Sequence, residues 1–188
     1  MELVIRDEEP ADAASVHALN VAAFATEAEA LLVDALRASG RLTLSLVAAQ
    51  GAAVVGHIAF SPLTVTRSDG RILEGVGLGP MAVAPARQRS GIGTRLLMAG
   101  LARLGAAGHP FCIVLGHRAY YPRFGFEPAS RFGMRWERAG AEGSFFALEL
   151  AAGGLADVSG VVRYAPEFAV KQLNARCGLA GPIIPSTT

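Results

Sequence analysis

Residues 81–94 read MAVAPARQRSGIGT. Arg87 and Arg89 follow a short apolar run, and Gly91 and Gly93 come where a long apolar helix begins. Cations are mildly unfavourable at the partly positive start of a helix, unless something negative sits between them. Glycine lacks a Cβ, so its backbone N–H approaches a ligand closely. The first N–H groups of a helix have no intrahelical acceptor. Together they form an anion cradle suited to a pyrophosphate, with Gln88, Arg89 and Thr94 as further donors. The same spacing also suits a plain strand–helix turn with solvated arginines.

Two rival phosphate motifs fail on context. GLGPMA at 77–82 matches a dinucleotide fingerprint, but it lies in a strand pattern interrupted by Pro80, with no helix opening after it. A Walker loop needs Gly-Lys-Ser/Thr, and the only lysine is Lys171.

The elements that must hold these residues are mixed. ELVIR at 2–6 is a strand; Pro10 opens a helical pattern to about Phe24; a second helix spans 27–38 with Leu31, Leu32, Ala35 and Leu36 on one face. RLTLSLVAA at 41–49 alternates as a strand, and a second strand follows at 54–65. The Asp69-Gly70 hairpin signal leads to a third, ending near Val83, so an antiparallel meander is expected. The period then changes. Leu97, Leu101 and Leu104 recur at helical spacing from Gly93 to Gly108, and FCIVLG at 111–116 is a strand covered on both faces. This strand–helix–strand crossover should lay 111–116 parallel to 76–84. Strands follow at 144–150 and 160–164, and a tail begins at about Lys171.

Composition frames these elements. The chain has 188 residues, 52% of them apolar and 18% charged, with net charge +1. That is a globular composition without the basic field that nucleic-acid binding needs. Cys112 and Cys177 are too few for a disulfide framework or a Cys-based zinc site, and Cys112, inside FCIVLG, reads as a buried small hydrophobe. No metal site and no membrane span are expected, and a reducing, cytoplasmic setting is the default.

Two segments carry a family resemblance. VAPARQRSGIGTRLL resembles the acetyl-CoA motif of the GNAT superfamily of N-acetyltransferases, and AYYPRFGFEPAS its Tyr-x-x-x-Gly-Phe segment. VLGH…YYPRFGF and GHIAFSP are similar to a bacterial subgroup of acetyltransferases. The resemblance covers about residues 1–168, as one acetyltransferase domain, and leaves 169–188 as a C-terminal appendage. It implies an α/β (α+β) fold: a mixed central sheet, an N-terminal antiparallel meander and a β-α-β crossover with splayed parallel strands, flanked by helices.

The resemblance also implies roles. Backbone groups of Met81, Ala82 and Val83 should bond the pantetheine arm of acetyl-CoA, the co-substrate. Gln88, Arg89, Ser90, Gly91, Ile92, Gly93 and Thr94 should hold the pyrophosphate. Tyr121 is the expected proton donor to the departing thiolate, with Tyr120 the runner-up. The implied reaction is direct attack by a primary amine, borne by a small molecule or peptide, through a tetrahedral intermediate. The rival class is a noncatalytic acyl-CoA-binding module. Residues 24–37 would line the acceptor side, where Glu27 or Glu29 could meet an incoming cation.

Two departures leave the base open. The family's glutamate on the fourth strand falls at Gly77, and the asparagine after the fifth strand is missing. Glu29, His57, Glu74 and His117 are the candidates, alongside ordered water. Neither the acceptor nor the oligomeric state is specified, and a homodimer is left open.

Overall fold

The computed structural model describes residues 2–138 and 143–169. Cys177 and the appendage, except Ala169, lie outside the described residues. The chain divides into two compact units. The first holds the described residues up to Phe60, Gly79–Gly100 and those from Pro166 on; the second holds Ser61–Leu78 and Leu101–Ala165.

In the first unit, β1 (Leu3–Asp7) pairs antiparallel with β2 (Leu44–Gln50), and β2 with the first half of β3 (Ala53–Thr66). Helices α1 (Ala13–Ala23) and α2 (Ala28–Ala38) belong to the same unit. Val16, Val33, Val47 and Ala59 form a core joining both helices to β2 and β3. The expected helix at Pro10 begins instead as a 3₁₀ turn, Pro10–Asp12. Leu31 lies 44% exposed, so Val33 takes its expected place on the buried face of α2.

In the second unit, a tight turn links the end of β3 to β4 (Ile72–Val83). There the Arg67 N–H donates to Arg71 O at 2.9 Å, and Gly70 takes a φ of 82°. The strand order continues β4, β5 (Phe111–Leu115), β8 (Phe145–Glu149), β6 (Glu127–Pro128), and only β4 and β5 run parallel in that series. β9 (Gly160–Tyr164) pairs with the second half of β3 and with β7 (Met134–Trp136). Phe111, Ile113, Phe145, Ala147 and Val162 lead this unit's core. The short strands β6 and β7 carry no periodic signal and escape the sequence pattern.

Helix α3 (Ile92–Ala106) runs through both units. Leu97, Leu101 and Leu104 are buried on it, as their spacing predicts. It closes at Gly108, φ 83°, where the His109 N–H reaches back to Leu104 O at 3.1 Å, a Schellman-type end. No helix among the described residues is long and apolar enough to cross a membrane.

Candidate active site

The cradle is built in the first unit by a short connection from β4 to α3. The Ala84 N–H donates to Val55 O at 3.0 Å, which anchors the end of β4 on β3. Pro85–Arg87 then make one 3₁₀ turn. Inside the loop the Ser90 hydroxyl donates to Arg87 O at 2.5 Å, and the Gln88 amide to Val83 O at 3.3 Å. Arg89 (φ 61°) and Gly91 (φ 84°) both take the left-handed conformation. Left-handed residues set among ordinary ones turn successive N–H groups to one side, the arrangement of an anion-binding nest. A non-glycine residue held there is strained, and such strain clusters at functional sites.

The helix adds its own donors. Its first bond runs from the Arg95 N–H to Gly91 O at 3.0 Å. Among the described residues, the backbone N–H groups of Arg89 through Thr94 have no backbone acceptor outside the helix. Gln88 to Gly91 are exposed, whereas Ile92 is buried. The start of α3 is pressed onto β3 at Gly56, where a Cβ would stand 2.8 Å from Ile92 Cγ2 and 2.9 Å from Leu96 Cδ1. Among the described residues, Arg87 and Arg89 pair with no carboxylate, so their charge is available to an anion. Arg95, by contrast, is bonded to Leu3 O at 3.1 Å.

Tyr121 belongs to the second unit. After β5 the chain turns, and the Tyr120 and Tyr121 N–H groups donate to His117 O at 3.0 and 3.4 Å. Tyr121 opens a 3₁₀ turn that ends at Gly125, φ 85°. Its ring packs edge-on against Tyr120 at 5.2 Å and Phe126 at 5.5 Å, and a Cβ on Gly116 would strike it. Only 7% of Tyr121 is exposed. Burial, with smaller effects from Tyr120 and Cys112, raises its phenol pKa. Tyr120 is less buried; its ring packs against Phe124 at a 55° tilt, centres 5.0 Å apart, and lies under the Arg123 guanidinium.

The base candidates separate. His57 is wholly buried and held in a hydrogen-bond chain, which removes it as a base for an incoming amine. Its Nε2 lies 2.9 Å from the Ser45 hydroxyl, which donates to Glu8 Oε2, and its Nδ1 lies 3.3 Å from the Asn20 amide. Because Ser45 spends its proton on Glu8, Nε2–H donates to Ser45 and Nδ1 accepts from Asn20. Arg37 closes the chain on Glu8 Oε1 at 2.6 Å. The polar Ser45 of the alternating pattern therefore faces an inner polar chain rather than water. Burial lowers the His57 pKa, with Glu8 pulling the other way. Burial also opposes the Glu8 charge, yet His57, Ser45 and Arg37 bring its pKa down to about 2.

Glu74, Glu27 and His117 are exposed. Glu29 is buried in the first turn of α2, with the Thr26 hydroxyl 3.4 Å from Oε2. At Gly77 no carboxylate fits, because the Tyr164 ring fills the place a side chain would take; a Cβ there would stand 2.4 Å from Tyr164 Cε1. Sequence reasoning missed Tyr164 and the Glu8–Ser45–His57 chain. The one available signal was the run of glycines 75, 77 and 79 in β4, since glycine inside a strand marks close approach by other groups.

A donor nest between a strand and the helix that follows it, in a mixed sheet, suits an enzyme that binds a phosphorylated co-substrate. The chain belongs to the Acetyltransferase (GNAT) domain family, which matches residues 4–129. It is 39% identical over 167 residues to Uncharacterized N-acetyltransferase YhbS of Escherichia coli K12, covering 88% of this chain and 98% of that protein. The crystal structure of the Escherichia coli GNAT family N-acetyltransferase YhbS in complex with CoA has a TM-score of 0.85 at 38% identity, covering 90% and 93% of the two chains. A Brucella melitensis GNAT family acetyltransferase in complex with acetyl-CoA gives 0.73 at 39% identity, covering 89% and 98%.

Proposed function

We propose that this chain transfers the acetyl group of acetyl-CoA to a primary amine, through one acetyltransferase domain over residues 1–168. The observation that carries this reading is the donor nest at Arg89–Thr94 with its two left-handed residues. That nest suits a pyrophosphate, and the similar Escherichia coli and Brucella proteins were crystallised with CoA and acetyl-CoA.

The residues divide the work. Gln88 to Thr94 hold the pyrophosphate, with the Arg89 guanidinium among them and Arg87 beside them. The backbone of Met81, Ala82 and Val83 bonds the pantetheine arm and polarises the thioester carbonyl. A neutral amine attacks that carbonyl carbon. As the tetrahedral intermediate collapses, the C–S bond breaks and the thiolate takes the Tyr121 hydroxyl proton. Solvent then reprotonates Tyr121, and the amine's surplus proton leaves through water or a side chain.

Calorimetric titration with acetyl-CoA tests the nest. Gly91→Val and Gly93→Val should each weaken binding at least tenfold while the fold survives; wild-type affinity in both would overturn the assignment. Acetyl transfer to a panel of primary amines separates the enzyme from a binding module.

A further inference from the structure

Three consecutive residues of β3 serve both the nest and the buried polar chain, all within the first unit. The pairing with β2 slips there. Ala48 lies opposite Gly56 but Ala49 lies opposite Val54, so Val55 is the extra residue of a β-bulge. Bulges gather next to functional sites, where they re-aim the chain. The Val55 carbonyl accepts the Ala84 N–H at 3.0 Å, which fixes the end of β4 at the entry to the nest. Gly56 receives Ile92 and Leu96 of α3, with no room for a Cβ. His57 comes next. Side chains alternate along a strand, so its ring lies on the face opposite α3.

That ring is wholly buried and held at both nitrogens. Nε2 meets the Ser45 hydroxyl of β2 at 2.9 Å, with Glu8 Oε2 behind it at 3.6 Å. Nδ1 meets the Asn20 amide nitrogen of α1 at 3.3 Å. Arg37 of α2 holds Glu8; Asp34 of the same helix holds Arg37 at 2.7 Å and His17 of α1 at 2.6 Å. Burial and Arg37 disfavour a charged ring, and Glu8 favours it. The Asn20 nitrogen also donates to Val16 O at 2.9 Å, whereas Asn20 Oδ1 is buried without a partner among the described residues. This arrangement suits a neutral ring. A proton on Nδ1 would set two donors face to face. Turning Asn20 Oδ1 to the ring relieves that conflict, at the loss of the bond to Val16. His57 and Asn20 are therefore a pair with two settings.

We propose that His57 is a positioning residue for the nest: its neutral ring, held between Ser45 and Asn20, fixes the stretch of β3 whose Val55 carbonyl and bare Gly56 seat the two sides of the nest. When Asn20 turns to meet a protonated ring, the His57 peptide shifts. The two anchors, one and two residues away, shift with it. A nest that binds pyrophosphate best in one setting then holds His57 neutral, because coupling between two sites is reciprocal. The proposal rests on the acetyl-CoA reading for its ligand and on β3 for the coupling.

The probe is 3′-dephospho-CoA, which keeps the pyrophosphate and lacks the phosphate that itself titrates near neutrality. Saturating the wild-type chain with it should move the ring-nitrogen NMR signals of His57, although that ring faces away from α3. Asn20→Asp is nearly isosteric and faces Nδ1 with a carboxylate, which favours a proton there. In this variant His57 should carry protons on both ring nitrogens at neutral pH. Its affinity for 3′-dephospho-CoA, read by calorimetry, should fall at least about fivefold, the lower end of a coupling between sites. Ring signals that ignore the ligand in wild type would overturn the proposal, as would a doubly protonated His57 with wild-type affinity. If Asn20→Asp does not fold, or leaves His57 with one proton, the wild-type ring signals decide. A wild-type chain that binds neither 3′-dephospho-CoA nor inorganic pyrophosphate would overturn the acetyl-CoA reading, and the proposal with it.

Discussion

Tyr121 presents a phenol whose pKa is raised by burial, with Tyr120 and Cys112 adding to the shift. The sign has two consequences. The proton is always present at neutral pH, so Tyr121 contributes no titration to the rate profile there. Its transfer to a thiolate, whose conjugate acid has a pKa of ~8.5, is uphill unless the two are well aligned. Tyr121→Phe removes the hydroxyl and leaves the ring packed on Phe126. If the phenol is the acid, kcat should fall by roughly 10²–10⁴ with acetyl-CoA affinity nearly unchanged. Equal kcat values, measured with chemistry rate-limiting, would assign the ring to packing alone.

Helix α3 and strand β3 set the cradle at the next scale. The nest lies at the start of α3, and Ile92 and Leu96 of that helix pack on the bare backbone of Gly56. Gly56→Val would drive a side chain into both, with contacts of 2.8 and 2.9 Å already at its Cβ. Overpacking of this kind costs about 1–3 kcal/mol. The helix start should shift to relieve it. Acetyl-CoA affinity should therefore fall at least fivefold, although Gly56 lies in mid-strand, outside the nest. Titration calorimetry beside a melting curve checks this; wild-type affinity in a destabilised variant would separate packing from the nest.

At the scale of the whole molecule, the buried chain from Asn20 through His57, Ser45 and Glu8 to Arg37 makes stability depend on pH. Glu8 falls to about 2 from an ordinary 4.5, because burial is outweighed by its three hydrogen-bonding partners. Its contribution is complete above pH 4.5 and is lost as pH falls toward 2. His57 is lowered from 6.5, chiefly by burial, so the unfolded chain takes up that proton first and stability falls below pH 6.5. Both effects have one sign: the melting temperature should rise from pH 2 to pH 6.5 and then level. Glu8→Gln leaves Arg37 and His57 facing an uncharged amide. Arg37 is partly exposed and keeps Asp34 Oδ1 at 2.7 Å, so the loss should be about 1–3 kcal/mol at neutral pH, the range for a buried polar group deprived of one partner, and the acid limb should flatten. A neutral-pH melting temperature equal to wild type would show that the charge is not needed.

What the sequence by itself determined is what neighbours within a turn or two decide. Pro85, Gly91 and the leucines of 97–104 mark a strand end, a loop of close backbone approach and a helix face, because each acts on its own backbone or on residues three and four away. The Asp69-Gly70 turn and the apolar run at 111–115 were legible for the same reason. The place of a candidate cradle was therefore legible from spacing, although the same spacing also suits a plain strand–helix turn. What only the tertiary structure decided depends on side chains reaching across strands distant in sequence. Nothing near Gly77 announces that Tyr164 fills its place, and nothing near His57 announces Glu8 and Ser45 as its neighbours. A one-residue change of register would point either set away. So local spacing marks a candidate anion cradle, and long-range packing decides that His57 is buried in a polar chain and that the Tyr164 ring fills the place over Gly77.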